Sequence, residues 1–114
     1  GFYLITSELE KARAHTAARA IGCATGALDS AIAYAKERVQ FGKPISDFQG
    51  VRFKLAKMAT EIEAARQLMY FVCDCVDTGR RSDKESSMVK YLASEMAERV
   101  TSDALQVLGG AGYT

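Results

Sequence analysis

Apolar and polar residues recur along this chain with helical spacing, in three long runs separated by two short breaks. In the middle run Val51, Leu55, Met58, Ile62, Ala65, Met69, Val72 and Val76 advance by alternating steps of four and three. That is a seam of period about 3.5, the pattern of a helix packed in a bundle. The first run is rich in alanine, free of proline, and places Ile21, Leu28, Ile32, Ala35 and Val39 on one helical stripe. The last run gives Val89, Leu92, Met96, Val100 and Ala104 a common face. Ser7-Glu8-Leu9-Glu10, Ser46-Asp47-Phe48-Gln49 and Ser82-Asp83-Lys84-Glu85 have the form of capping boxes and predict the three helix starts. Thr78-Gly79 predicts a stop with Gly79 as a left-handed cap, and the glycines from Gly109 onward stop the third helix. No stretch alternates as a strand does. The expected fold is all-α: an antiparallel up-and-down bundle of three long helices, one domain over residues 1–114.

Three such helices form a long, thin body that leaves apolar surface uncovered. The expectation is therefore that a fourth helix closes the bundle, from a continuation of the chain or from another copy, and that the sequence is a piece of a longer protein. Gly22 and Gly26 sit inside the first helical run, where each costs about 1 kcal/mol against alanine. Their spacing predicts a smooth groove for close helix packing, with close approach of a ligand as the alternative.

The link between the first two runs is Arg38-Val39-Gln40-Phe41-Gly42-Lys43-Pro44-Ile45, and it holds the only proline. A connector that only turned the chain back would not need an arginine, a phenylalanine and a Gly-Lys-Pro turn. This elbow is the candidate functional element.

Composition narrows the classes. The 114 residues are 48% hydrophobic and 25% charged, a globular balance, and 15 basic against 14 acidic residues leave a net charge of +1. No broad basic field exists for nucleic acid, and no apolar run approaches the length of about 20 residues needed to span a membrane. Cys23, Cys73 and Cys75 form no disulfide framework and read as free thiols, mostly buried small hydrophobes, in a reducing compartment. With one histidine, no metal site is expected.

The residues alone contain no nucleophile–base pair, no paired-carboxylate site and no complete phosphate loop. A resemblance adds more. Arg38-x-x-Phe41-Gly42-Lys43-Pro44-Ile45, then Phe48-Gln49, then Gln106-x-x-Gly109-Gly110-x-Gly112-Tyr113 resembles the acyl-CoA dehydrogenase family over essentially the whole chain, in its C-terminal four-helix domain. The resemblance implies FAD as cofactor, held mainly by a neighbouring subunit of a homotetramer. It places Arg38 on the pyrophosphate, Phe41 against the cofactor and Gln49 in a hydrogen bond to it, with Gln106, Gly109 and Gly110 on the adenosine end. The plainer readings are a helix-end arginine for Arg38, a plug in the loop's small core for Phe41, a capping side chain for Gln49 and a C-terminal stop for the glycines.

Glu10-Lys11-Ala12-Arg13 resembles the family's Asp-x-x-Arg, which lines the acyl-CoA site, so Glu10 and Arg13 are the implied substrate contacts; a surface ion pair is the alternative. The family's catalytic glutamate abstracts the proton α to the thioester carbonyl, while the β-hydrogen leaves as hydride to the flavin. A minority of members place that glutamate where this chain has Ala12, so no catalytic residue is assigned here and the base is expected beyond residue 114. The implied activity is α,β-desaturation of an acyl-CoA thioester by the full-length parent, with the isolated chain inactive. The implied partners are acyl-CoA, an electron-transfer acceptor protein and further copies of the chain, in the cytoplasm or, in a eukaryote, the mitochondrial matrix. The alternatives are a related flavoenzyme (an acyl-CoA oxidase or a flavin-dependent monooxygenase) and a helical interaction module without catalysis.

Overall fold

The computed structural model describes residues 2–109, apart from the side chains of residues 2, 3 and 6. Three helices carry it: α1 (Phe2–Glu37), α2 (Gln49–Asp77) and α3 (Asp83–Leu108). All three pack on one another, in a body of 64 × 24 × 16 Å. The all-α bundle anticipated from the periodicities is present. Its radius of gyration is 17.3 Å, against about 13 Å for a compact domain of this length. It exposes 7154 Å² of surface, against about 6,100 Å² for a compact protein of this mass. This is a slab with a face to spare.

The seam of α1 is Ala14, Ala17, Ile21, Ala24, Leu28, Ala31 and Ala35, all buried, again in alternating steps of three and four. Four of its members have no exposed surface at all: Ala17, Ala24, Ala31 and Ala35. Alanines at these positions let a partner helix approach closely. Opposite them stand the buried faces of α2 (Met58, Ile62, Ala65, Val72, Cys75) and α3 (Val89, Ala93, Met96, Val100, Ala104, Val107). The apolar stripe anticipated for α1 is corrected in part. Ile21, Leu28 and Ala35 are buried, Ile32 is half-buried, and Val39 is exposed beyond the helix end. The larger residues alone misplace a seam that alanine dominates.

Each capping box is also corrected. Nothing in residues 2–6 breaks a helix, so α1 starts at Phe2 and encloses Ser7 and Glu10. The start of α2 is a 3₁₀ turn, Ile45–Asp47, followed by Phe48 as N-cap with no side-chain cap bond, so Gln49 is not used in capping. Ser82 does sit at the N-cap of α3, but its hydroxyl makes no cap bond; its backbone N–H donates to Glu10 Oε1 of α1 at 3.1 Å. A carboxylate from another helix serves in place of the local glutamate. The stop at Gly79 is as anticipated. Gly79 has φ +75°, its N–H reaches Val76 O, and Arg80 N–H reaches Cys75 O at 2.8 Å, the paired bonds of a Schellman motif.

One element lies outside the anticipated pattern. Val39–Gln40 (β1) and Lys43–Pro44 (β2) pair antiparallel, Val39 opposite Pro44 and Gln40 opposite Lys43. No other helix of this chain packs on Gly22 or Gly26: both are exposed, and a Cβ at either would meet nothing within 4 Å. Cys75 is buried and Cys73 half-buried, whereas Cys23 faces outward.

Candidate functional site

Because the helices run antiparallel, the C-terminus of α1, the N-terminus of α2 and the C-terminus of α3 share one end of the bundle. The elbow is there, together with Gln106 and Gly109. Arg38 follows α1 directly. Its N–H continues the helix by donating to Tyr34 O at 2.9 Å, and its carbonyl accepts from Ile45 N–H at 2.8 Å, closing the loop. The side chain is exposed. Beside it lies Gln40. With its carbonyl oxygen facing the guanidinium, Gln40 accepts from Arg38 Nε at 3.2 Å and from Nη2 at 2.9 Å.

The turn of the hairpin is Phe41-Gly42, with φ +54° and +81°. Positive φ at both central residues is the requirement of a type I′ hairpin, normally met by Asn-Gly. A phenylalanine there costs about 1–2 kcal/mol relative to its ordinary conformations. Phe41 is nonetheless 92% exposed, so burial does not offset the strain, and the reading of Phe41 as a plug is overturned. Its one ring contact among the described residues is edge-on to Phe48, with centroids 6.3 Å apart, and Lys43 Nζ stands 4.4 Å from the Phe48 ring centre. Gln49 is exposed and lines an open depression of about 500 Å³ with Asp47, Arg52, Phe53 and Ala56.

Gln106, one turn before the end of α3, accepts a hydrogen bond at Oε1 from Lys54 Nζ of α2. Gly109 closes α3 with φ +58°, and a Cβ there would meet nothing within 4 Å. Gly110 lies outside the described residues. Lys54 and Gln40 were missed in the sequence. Lys54 is one cation among many on a polar helix face, and only the α2–α3 register reveals its partner. Gln40 would have been found by asking what orients Arg38. The chain thus brings Arg38, Lys43, Arg52 and Lys54 to one end, beside an exposed aromatic ring and a bare glycine backbone. That donor set suits a phosphate-bearing ligand with an aromatic portion.

Glu10 and Arg13 stand toward the opposite end, Arg13 about 37 Å from Arg38 at about 1.5 Å rise per residue of α1. Glu10 is only 4% exposed and is engaged with Ser82. Arg13 is half-buried and donates from Nη1 to Ser86 Oγ of α3 at 3.5 Å, a bond long enough to yield to a better acceptor. Asp83, in the first turn of α3, is held below the usual carboxylate range, first by the neighbouring Glu10 carboxyl and then by Arg81, whose Nη2 lies 2.5 Å from Oδ2. The two residues paired in sequence are therefore both turned toward the α3 N-terminus.

A family model of the acyl-CoA dehydrogenase C-terminal domain matches residues 1–114. The chain belongs to the acyl-CoA dehydrogenase family. It is 48% identical over 113 residues to an acyl-CoA dehydrogenase of Bacillus subtilis, covering 99% of this chain and 30% of that protein. It is 46% identical over 113 residues to the 3-(aryl)acrylate reductase of Clostridium sporogenes, with the same coverage. The butyryl-CoA dehydrogenase structure of Megasphaera elsdenii superposes with a TM-score of 0.94 at 43% identity, over 100% of this chain and 30% of that one. The chain spans about a third of the length of these relatives. Among the described residues of this acyl-CoA dehydrogenase domain, no helix is long and apolar enough to cross a membrane.

Proposed function

We propose that this chain is the helical domain through which an FAD-dependent acyl-CoA dehydrogenase holds its cofactor and joins its subunits. The carrying observation is the elbow: a phenylalanine 92% exposed at positive φ beside an outward-facing arginine, on a two-residue hairpin. A loop keeps such a strained, exposed ring for something outside the chain. Arg38, with Lys43 on the same hairpin, would take the pyrophosphate, Phe41 would cover an aromatic portion, and Gln49 would donate to the same cofactor. Gln106, Gly109 and Gly110 would meet its adenosine end.

When bound, FAD would supply the hydride acceptor. The chain's own part is binding and orientation. Ala12 offers no carboxylate, so the proton from the α-carbon goes to a base on another segment of the protein. With Arg38 and Arg13 about 37 Å apart, one chain would on this reading serve a cofactor at one end and an acyl-CoA at the other. In a homotetramer these belong to different active sites, which makes the domain a bridge. At the acyl-CoA end Arg13 is the contact, exchanging Ser86 for an anionic group. Glu10, the weaker assignment, acts from behind it. An electron-transfer acceptor protein would reoxidise the flavin.

One observation favours a second reading. The Clostridium relative, as similar as the dehydrogenases, is named a reductase, so the same fold could run the double-bond chemistry in the reducing direction.

The test uses the full-length protein. Its visible spectrum should show bound flavin that bleaches anaerobically on adding a saturated acyl-CoA. Flavin that ignores the saturated thioester, but is reoxidised by an α,β-unsaturated one after chemical reduction, supports the reductase reading. Absence of flavin, with Arg38→Ala and Gln106→Ala leaving assembly and ligand binding unchanged, would reduce the domain to an interaction module.

A further inference from the structure

We infer that Gln40 is a positioning residue for Arg38, an inference that rests on the cofactor reading above. Arginine is a donor only, with five N–H groups in a rigid fork. The Gln40 carbonyl oxygen takes the Nε edge of that fork, at 3.2 Å from Nε and 2.9 Å from Nη2. In the opposite sense the amide NH₂ would face those donors, so the electrostatics choose one orientation. The remaining N–H groups then point away from Gln40, available as a pair to an anion.

Two features make the arrangement more than a local contact. Gln40 is not on a free loop: its backbone is paired with Lys43 in the hairpin, and Arg38 is fixed at both backbone groups, by Tyr34 and Ile45. Both partners are therefore presented from rigid backbone, although both side chains are exposed. The second feature is chemical. A carboxylate in place of Gln40 would orient the guanidinium equally well but cancel the charge that attracts a phosphate. A neutral amide orients it and leaves the charge whole. The residue type matches the task of presenting an arginine rather than pairing with it.

The test measures the FAD dissociation constant of the full-length protein, reconstituted from its flavin-free form, for Arg38→Met, Gln40→Met and the double variant, each at several salt concentrations. Gln40→Met should weaken FAD binding by about three- to tenfold, the order expected for an exposed charge-assisted hydrogen bond, with the salt dependence unchanged because no charge is lost. Arg38→Met should weaken it further and flatten the salt dependence. In the Arg38→Met background, Gln40→Met should have no additional effect. A loss from Gln40→Met of the same size in both backgrounds would assign Gln40 a direct or structural role and overturn the inference. No loss from Gln40→Met alongside a clear loss from Arg38→Met would also overturn it, while leaving the cofactor reading intact. If Arg38→Met itself binds FAD normally, the cofactor reading fails and the inference falls with it.

Discussion

Gly22 and Gly26 lie deep inside a 36-residue helix, where glycine is the second-worst residue, and nothing in the chain explains them. Both face outward, and a methyl group on either would meet no atom within 4 Å. Replacing each with alanine should therefore recover nearly the full helix-interior difference, about 0.8–1 kcal/mol per site. The two positions share no partner, so the double variant should gain about 2 kcal/mol. With an unfolding entropy of about 2.1 cal/mol/K per residue, about 0.24 kcal/mol/K for this length, that gain raises the midpoint by about 8 °C. The assay is thermal and urea unfolding of the 114-residue chain, followed by helical circular dichroism at several protein concentrations. Unchanged or lowered stability would refute the reasoning, because it would show that these glycines are not on an open helix face. The same substitutions in the full-length assembly then carry separate information. Gain there leaves the face in solvent; loss means that another surface comes within reach of the missing methyl groups.

Glu10→Ala should destabilise the fold by about 1–3 kcal/mol, because the buried Ser82 N–H loses its acceptor; Glu10→Gln, which keeps an oxygen in place, should cost less in the same urea titration. Asp83 has a folded pKa below its ordinary value, so its contribution is present above the unfolded carboxylate value of about 3.9 and is lost as pH falls through the folded one. Asp83→Asn should accordingly flatten the decline of stability on acidification, measured as urea midpoints from neutral pH downward. The isolated chain should self-associate through the end where Ile5, Leu9, Tyr70, Phe71, Met88 and Tyr91 are exposed, which sedimentation over a concentration series would detect; a monomer at all concentrations would count against this.

The helices were legible because their information is periodic and local. The seam from Val51 to Val76 and the Gly79 stop needed only spacing and one conformational preference. The capping boxes failed for a different reason. Ser-x-x-Glu states which groups are able to pair, and Glu10 had a better option, a buried N–H on a helix 72 residues away in sequence. The α1 seam was only half legible, since hydrophobic stripes are recognised by size and here the buried residues are mainly alanine. At the elbow the hairpin was not legible. Two-residue strands carry no alternation, and a Phe-Gly pair is an uncommon occupant of a turn that favours Asn-Gly. The failure of a local rule at Phe41 is the feature on which the cofactor proposal rests.

The alanine seam and the length of α1 bear on the same point. Close approach along Ala17, Ala24, Ala31 and Ala35, with Met58, Ile62 and Met96 of the facing helices packed among them, joins three helices into one slab. A stiff slab can hold contacts at its two ends in fixed relation, Arg38 at one and Arg13 at the other, about 37 Å apart along one helix. A domain that bound a single ligand would need neither the length nor the stiffness. A domain that reaches into two sites in an assembly needs both, and it must leave the faces between them free for other chains. The surplus surface and the apolar end of the bundle are faces left open for such an assembly.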